Sequence, residues 1–296
     1  MQLDLFLHSA DVGLRNSVIE ALRRHDAGAM RQAINQLRAD FPNDDSLSGF
    51  EQIFAEFLAL GRQDASPTAI SARLERIEKE LLPPLQKLIR YEAARRWLEP
   101  VYADLADAVA GQPFERSLAK AHAAALFLKA GALSEARSAL TTIPSWRRIP
   151  EPLAWMSEIA LRENTPAEFW PLLAELAWIA PALLDSVLAD LPARNVPASV
   201  LRLYRDFGAQ ADLEADDENH ETAWFPAWLL VEHSELLPLL RSADAHACDS
   251  RPARSAAVLV DLLTGERHGA APAMADKRRQ LRDLAPPLFA RYMARR

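Results

Sequence analysis

Ser117 and Lys120 stand three residues apart, the spacing at which a serine nucleophile can meet a lysine base. The SDN and KTG segments that would complete such a site are missing from the chain, so Ser117-Leu-Ala-Lys120 reads as a helix surface. His220-Glu221 and Glu232-His233 each set an imidazole beside a carboxylate. Neither extends to HExxH, the helical spacing that turns two imidazoles toward one zinc ion. His246 and Cys248 lie two apart in a polar loop and read as structural. Asp212, Glu214, Asp216, Asp217, Glu218 and Glu221 form the densest group of hard oxygen donors, the kind that Mg²⁺ or Ca²⁺ takes. With His220 or His233 they would support a divalent-metal-dependent enzyme, which is one reading of the chain. A calcium loop needs a glycine at its sixth position, and this segment has none, so a solvated acidic loop is the simpler expectation. No GxGxxG, GxxxxGK[ST] or GxSxG occurs, and no two of the nine glycines are closer than four residues. That spacing excludes the usual dinucleotide, nucleoside triphosphate and serine-hydrolase loops. No catalytic residue, metal ligand or cofactor is assigned, and the chain is not expected to be an enzyme.

A different chemistry, recognition by an extended peptide, is offered by Gln2-Leu3-Asp4-Leu5-Phe6. These five residues resemble the pentapeptide QL[S/D]LF by which bacterial replication and repair proteins dock on the DNA polymerase sliding clamp, and all five positions match. The resemblance implies that Gln2 hydrogen-bonds at one pocket, that Leu5 and Phe6 fill an apolar one, and that Leu3 packs against the clamp surface. A segment at a chain end can offer such anchors at little cost to the fold behind it. The same residues also fit local structure: Leu3, Leu5 and Leu7 alternate as in a strand, while Leu3, Phe6 and Leu7 share one face of a helical turn. Either arrangement would bury the peptide.

The elements that must position these groups are helical. Half of the 296 residues are hydrophobic, a quarter are charged and only 7% are aromatic, the balance of a folded chain. Ala, Leu, Arg and Glu dominate and β-branched runs are nearly absent, which predicts an all-α fold. Ser9 and Asp11 fit the start of a helix carrying Leu14, Val18, Ala21 and Leu22. A second helix spans 29–39 and a third spans 46–60, with Gly61 as its C-cap. Ser66-Pro67 opens a fourth helix, which Pro83-Pro84 should end because proline lacks an amide and crowds the preceding turn. A long amphipathic run over 85–109 carries an expected kink at Pro100.

From there the pattern is one of short helix pairs. Over 121–140, Leu126 and Phe127 precede Gly131, then Ala136, Leu140 and the stop at Pro144. The order resembles one unit of a tetratricopeptide repeat, in which a glycine and a small alanine sit where two antiparallel helices approach. Leu22, Gly28, Ala33, Leu37 and Pro42 form a weaker echo, and 154–181 a third pair with Trp155, Ile159, Phe169, Leu173 and Trp178. Lys120, Ala123 and Ala124 do not match the aromatic and Leu-Gly positions of that family, and the echoes are irregularly spaced. The expected organisation is an N-terminal segment over 1–9, a divergent TPR-like helical-hairpin α-solenoid over 10–208, an acidic linker over 209–222, and a C-terminal helical subdomain or cap over 223–296. A non-repeating helical bundle is the alternative.

The net charge of −7 disfavours a general nucleic-acid coat, but it is uneven. Residues 277–296 hold seven cations against one acid, a local +6 that leaves −13 on the rest. Lys277, Arg278, Arg279 and Arg282 on one helix face would be the place for a weak nucleic-acid contact, with Arg291, Arg295 and Arg296 on the last turns. Favourable interaction with helix C-termini explains the same cations structurally. The single cysteine excludes an internal disulfide, and the apolar stretch 170–192 is interrupted by Glu175, Asp185 and Asp190, which spoils a membrane span. A cytoplasmic protein is expected. Its leading reading is a non-enzymatic interaction module that binds another protein or peptide segment. The alternative is a replication or repair accessory protein tethered to the sliding clamp through residues 2–6.

Overall fold

Prolines start helices in this molecule more often than they stop them. In the computed structural model, Pro67, Pro150, Pro166, Pro181 and Pro286 each occupy the first position of an α-helix, where the missing amide would have had no partner. The structure describes residues 2–60, 66–190, 197–210, 221–245, 248–268 and 274–296; the side chains of 2–9, Leu60 and Asp190 lie outside the described residues. Among the described residues there is no strand, so the all-α expectation holds. Among them, too, no helix is long and apolar enough to cross a membrane.

The chain divides into two compact units, Met1–Ala139 and Leu140–Arg296. The first contains α1 (Gln2–Arg23), α2 (Ala27–Asp40), α3 (Leu47–Leu60), α4 (Pro67–Arg76), α5 (Leu82–Leu88), α6 (Tyr91–Ala108) and α7 (Ala123–Ala130), and α8 (Leu133–Thr141) straddles the division. Each helix of this unit that can be followed buries one face. Val18 and Leu22 of α1 meet Met30, Ile34 and Leu37 of α2, and Phe50, Ile53, Ile70, Leu74, Trp97 and Leu126 continue the same core. Ser66 caps α4 by accepting from the Ala69 amide at 3.2 Å, as its sequence predicts. α1 begins at Gln2, so Asp11 lies inside it and pairs with Arg15 one turn on, instead of capping a helix start.

Two helix breaks fall elsewhere than expected. Pro83-Pro84 does not end the helix: α4 passes through a π-turn over Ile77–Leu81 and continues as α5, with both prolines in its first turn. The widened turn, closed by the Leu82 amide on the Ile77 carbonyl, relaxes the crowding a proline ring imposes on the turn before it. Pro84 cannot bond the Glu80 carbonyl, and the Gln52 side-chain amide of α3 donates to that oxygen instead, at 3.1 Å. The run over 85–109 is broken at Ile89, whose backbone is extended, while Pro100 stays within the single helix α6.

Three helix pairs turn the same way. After α7, Gly131 is left-handed (φ 76°) and donates to Leu128 O at 3.2 Å, while Ala132 donates to Phe127 O at 2.9 Å. The same two bonds close the turn between α1 and α2 and the turn after α9 (Pro150–Arg162), with His25 (φ 56°) and Asn164 (φ 53°) in the left-handed position. Gly28 of the first echo lies inside α2. His25 tolerates its strained backbone because its ring stacks on Trp97 at 4.6 Å, with Nε2 2.9 Å from the Trp97 carbonyl. The Trp97 indole N–H in turn donates to Leu22 O at 2.5 Å.

The second unit contains α9, α10 (Pro166–Ile179), α11 (Pro181–Asp190), α12 (Ala198–Gln210), α13 (Phe225–Glu232), α14 (Leu237–Leu240), α15 (Arg251–Arg267), α16 (Ala275–Leu284) and α17 (Pro286–Ala294). Here α10 and α13 are apolar on nearly every face and are buried all round: Phe169 through Trp178, and Phe225 through Val231. α10 packs on α9, α11, α13 and α14; α13 packs on α12, α15 and α17. Trp170 and Trp178 lie in this core, as expected, and Trp155 is half-buried. The acidic stretch 209–222 falls within this unit. Ala209 and Gln210 close α12, Glu221 and Thr222 open a 3₁₀ turn, and residues 211–220 lie outside the described residues. Asp185, Tyr204 and Thr222 form one hydrogen-bonded group that ties α11, α12 and that turn together. Burial and the bond to Asp185 push the Tyr204 phenol above its ordinary value.

Candidate functional site

α10 has one charged residue in its buried stretch. The Glu175 side chain is 0% exposed, and an isolated carboxylate there would cost several kcal/mol. Three donors compensate it. Arg147 grips it with Nε and Nη2, each at 2.6 Å, and the Asp244 backbone amide donates at 2.8 Å. The bonds to Glu175 hold the Arg147 guanidinium above even its usual high value. Arg147 reaches α10 from a 3₁₀ turn, Trp146–Arg148, entered through Ser145 in a left-handed conformation (φ 53°). The next residue, Arg148, pairs with the Asp244 carboxylate at 2.5 Å. Adjacent arginines thus hold Asp244 by its main chain, through Glu175, and by its side chain.

Asp244 belongs to a segment, with Arg241, Ala243 and Ala245, that walls a cavity of about 260 Å³. The remaining lining is mostly apolar: Ala174 and Trp178 from α10, Pro226 and Leu230 from α13, Leu240 from α14, and Ala256, Ala257 and Val260 from α15. Cys248 anchors nearby by donating its thiol to the Trp178 carbonyl at 3.4 Å. Asp261 at the rim is held by Lys277 at 2.6 Å. The space lies just under the roughly 300–1,000 Å³ of cavities that take a drug-sized molecule. The apolar side chains of α10, α13 and α15 offer surface to a side chain entering from outside, and Arg241, Asp244 and Asp261 set polar groups beside them.

The residues singled out by sequence are scattered. Residues 2–6 fall in the first turns of α1, and their side chains lie outside the described residues. Ser117 and Lys120 are exposed on a 3₁₀ turn. Asp212, Glu214, Asp216, Asp217, Glu218, His220 and His246 lie outside the described residues, and His233 faces Glu235 at 3.2 Å. Among the described residues no three His, Cys, Asp or Glu side chains are arranged to hold a metal ion.

Each of the four cations of α16 has an acid partner. Lys277 and Arg278 reach back to Asp261 and Glu266 of α15 at 2.6 and 2.9 Å; Arg279 pairs with Asp276 at 3.2 Å and Arg282 with Asp283 at 3.5 Å. Arg291 of α17 and Arg295 just past its end both reach Glu232, and Arg296 joins Arg278 at Glu266.

The chain matches no known protein family, no curated protein and no solved structure. Sequence reasoning missed the ion pair at the cavity wall, although one signal was present: a lone glutamate within ten otherwise apolar residues of a helix has to be explained by a partner. Arg147, 28 residues away, carries no local mark of that role.

Proposed function

We propose that this chain is a non-enzymatic interaction module of paired helices, TPR-like in its turns, that captures an apolar anchor side chain of a partner polypeptide. The observation that carries the reading is the 260 Å³ cavity between buried helices, closed on one side by a segment clamped through Glu175 and Arg148. The bonds through Glu175 and Arg148 fix one wall, so a partner gains apolar burial without first having to order that segment. The repeat character is supported by the shared left-handed turns at His25, Gly131 and Asn164.

The test is selection of peptides from a random display library on the full chain, followed by measured affinities for a plugged variant, Val260→Trp. Recovered peptides should share a bulky apolar residue and lose at least tenfold in affinity for Val260→Trp. Selection of no binders, or equal binding by the plugged variant, overturns the reading.

A second reading rests on a separate observation, the full match of Gln2, Leu3, Asp4, Leu5 and Phe6 to the clamp-docking pentapeptide. In that case the module is tethered to the polymerase sliding clamp and works in DNA replication or repair. A purified bacterial clamp should bind the chain, and replacing Leu5 and Phe6 by Ala should weaken binding at least tenfold. Failure of the unaltered chain to bind sinks it.

A further inference from the structure

We infer that the arginines gathered where α13, α15 and α17 meet form a binding site for a small oligophosphate group, such as a diphosphate. A cavity of about 240 Å³ lies there, lined by Arg267, Arg295 and Arg296 together with Glu266, Tyr292 and Ser234. The case begins with charge. Glu266 serves both Arg278 and Arg296, and Glu232 serves both Arg291 and Arg295, so two carboxylates hold four guanidinium groups. The fifth, Arg267, donates to the Ser234 backbone carbonyl at 2.6 Å, and among the described residues no carboxylate is paired with it. Of these groups Arg267, Arg295, Arg296 and Glu266 line the cavity, three positive charges against one negative, a surplus of two.

That surplus is unfavourable by itself. Like charges crowded at a partly dry surface repel, and burial already pulls the Arg296 guanidinium below its usual value. The arginines are also held in place: Arg296 lies over the Tyr292 ring at 5.0 Å, and Tyr292 itself is buried and bonded to Glu266. Ordered guanidinium forks present paired N–H donors to adjacent anionic oxygens, a geometry that favours phosphate over a single carboxylate. By contrast, Lys277, Arg279 and Arg282 each have an acid of their own and add no local excess. The oligophosphate could be free pyrophosphate or the end of a nucleotide, and the volume admits the phosphates of either.

The experiment titrates the full chain with pyrophosphate and, separately, with ADP, by calorimetry at low and at moderate salt. Saturable one-to-one binding that weakens with salt is expected. Arg267→Gln and Arg295→Gln should each cost at least tenfold in affinity, while Lys277→Gln should change it less than twofold. Pyrophosphate binding as tightly as ADP assigns the site to the phosphates alone, and tighter ADP binding extends it to the nucleotide. Circular dichroism of Arg267→Gln, whose side chain is exposed, separates loss of binding from loss of fold. Absence of saturable binding by both probes at millimolar concentration overturns the inference. So does an equal loss from Lys277→Gln, which would mean general surface charge. A single-stranded oligonucleotide that binds more tightly, and is released by Arg279→Gln and Arg282→Gln, would overturn it in favour of nucleic acid.

Discussion

The two units solve the same packing problem with opposite materials. In Met1–Ala139 the helices are amphipathic, and closure is completed by stacked rings, His25 flat on Trp97 and Phe57 against both. In Leu140–Arg296 two helices have no polar face, and the buried Glu175 is wrapped in arginine, as are Glu232 and Glu266 nearer the surface; the first unit's counterpart is the single carboxylate of Asp44, held by Arg15. A helix that buries one stripe can leave its ions in water, whereas a helix buried all round must bring partners to any ion it keeps. The candidate sites follow this difference, since both cavities of interest lie beside those wrapped carboxylates.

The contrast breaks most visibly at Trp228, buried against Phe207, Phe225 and His233. Trp228→Ala should cost about 4 kcal/mol, within the range for truncating a large core aromatic. Native-state hydrogen exchange should quicken over 225–231 and 253–263 and stay unchanged over 27–40. An equal response in both regions would mean that the units unfold as one. Glu175→Gln should cost about 2 kcal/mol by urea denaturation, less than a fully buried pair because Arg147 is 43% exposed and can turn to water. Amides of 241–245 should lose protection first.

In the first unit, Trp97→Phe keeps the stack on His25 but deletes the bond to Leu22 O, for an expected cost of about 1 kcal/mol. The acid limb of stability sharpens the comparison further. Burial holds His122 below its ordinary 6.5, and its Nδ1 accepts from the Ala124 amide, so protonation favours the unfolded chain. Its contribution is complete above pH 6.5 and is lost as pH falls through the lower folded value. His122→Asn, which can still cap α7, should flatten the fall in urea midpoint below pH 6.5. For Asp44, burial opposes ionisation, but hydrogen bonds from Ser46 and Arg15 outweigh it and hold the carboxyl below its ordinary 3.8. Its contribution is present above pH 3.8 and should disappear only at more acid pH, a step that Asp44→Ala removes. The smallest effect is expected at Gln52: its change to Ala strands one carbonyl at the surface, for roughly 0.5 kcal/mol.

Much of the helical layout was legible in the residues themselves, because its causes are local. Ala, Leu, Arg and Glu favour helix over strand, Ser66-Pro67 caps and opens α4, and Gly131 supplies the left-handed turn after α7. The turn at His25 was hidden because its strain is offset by Trp97, 72 residues further on. Pro83-Pro84 was misread for a related reason: the turn that relieves the prolines precedes them, and the donor that replaces the Pro84 amide comes from another helix. The candidate sites were the least legible part. A count of seven cations to one acid describes the end of the chain as a basic patch, yet its charge is apportioned by Glu232, Asp261 and Glu266, none of which lies in that segment. Charge balance is a property of neighbours in space, and sequence lists only neighbours in chain.

The π-turn over Ile77–Leu81 also constrains how this segment can change. Removing one residue there would restore ordinary helix spacing and drive the Pro83 ring into the turn before it. Exchanging both prolines for alanine would restore the missing donors and leave the extra residue with no reason to bulge. Each alteration is harmful by itself and is relieved by the other, so tolerated variants should gain or lose the bulge and the prolines together, in a single step.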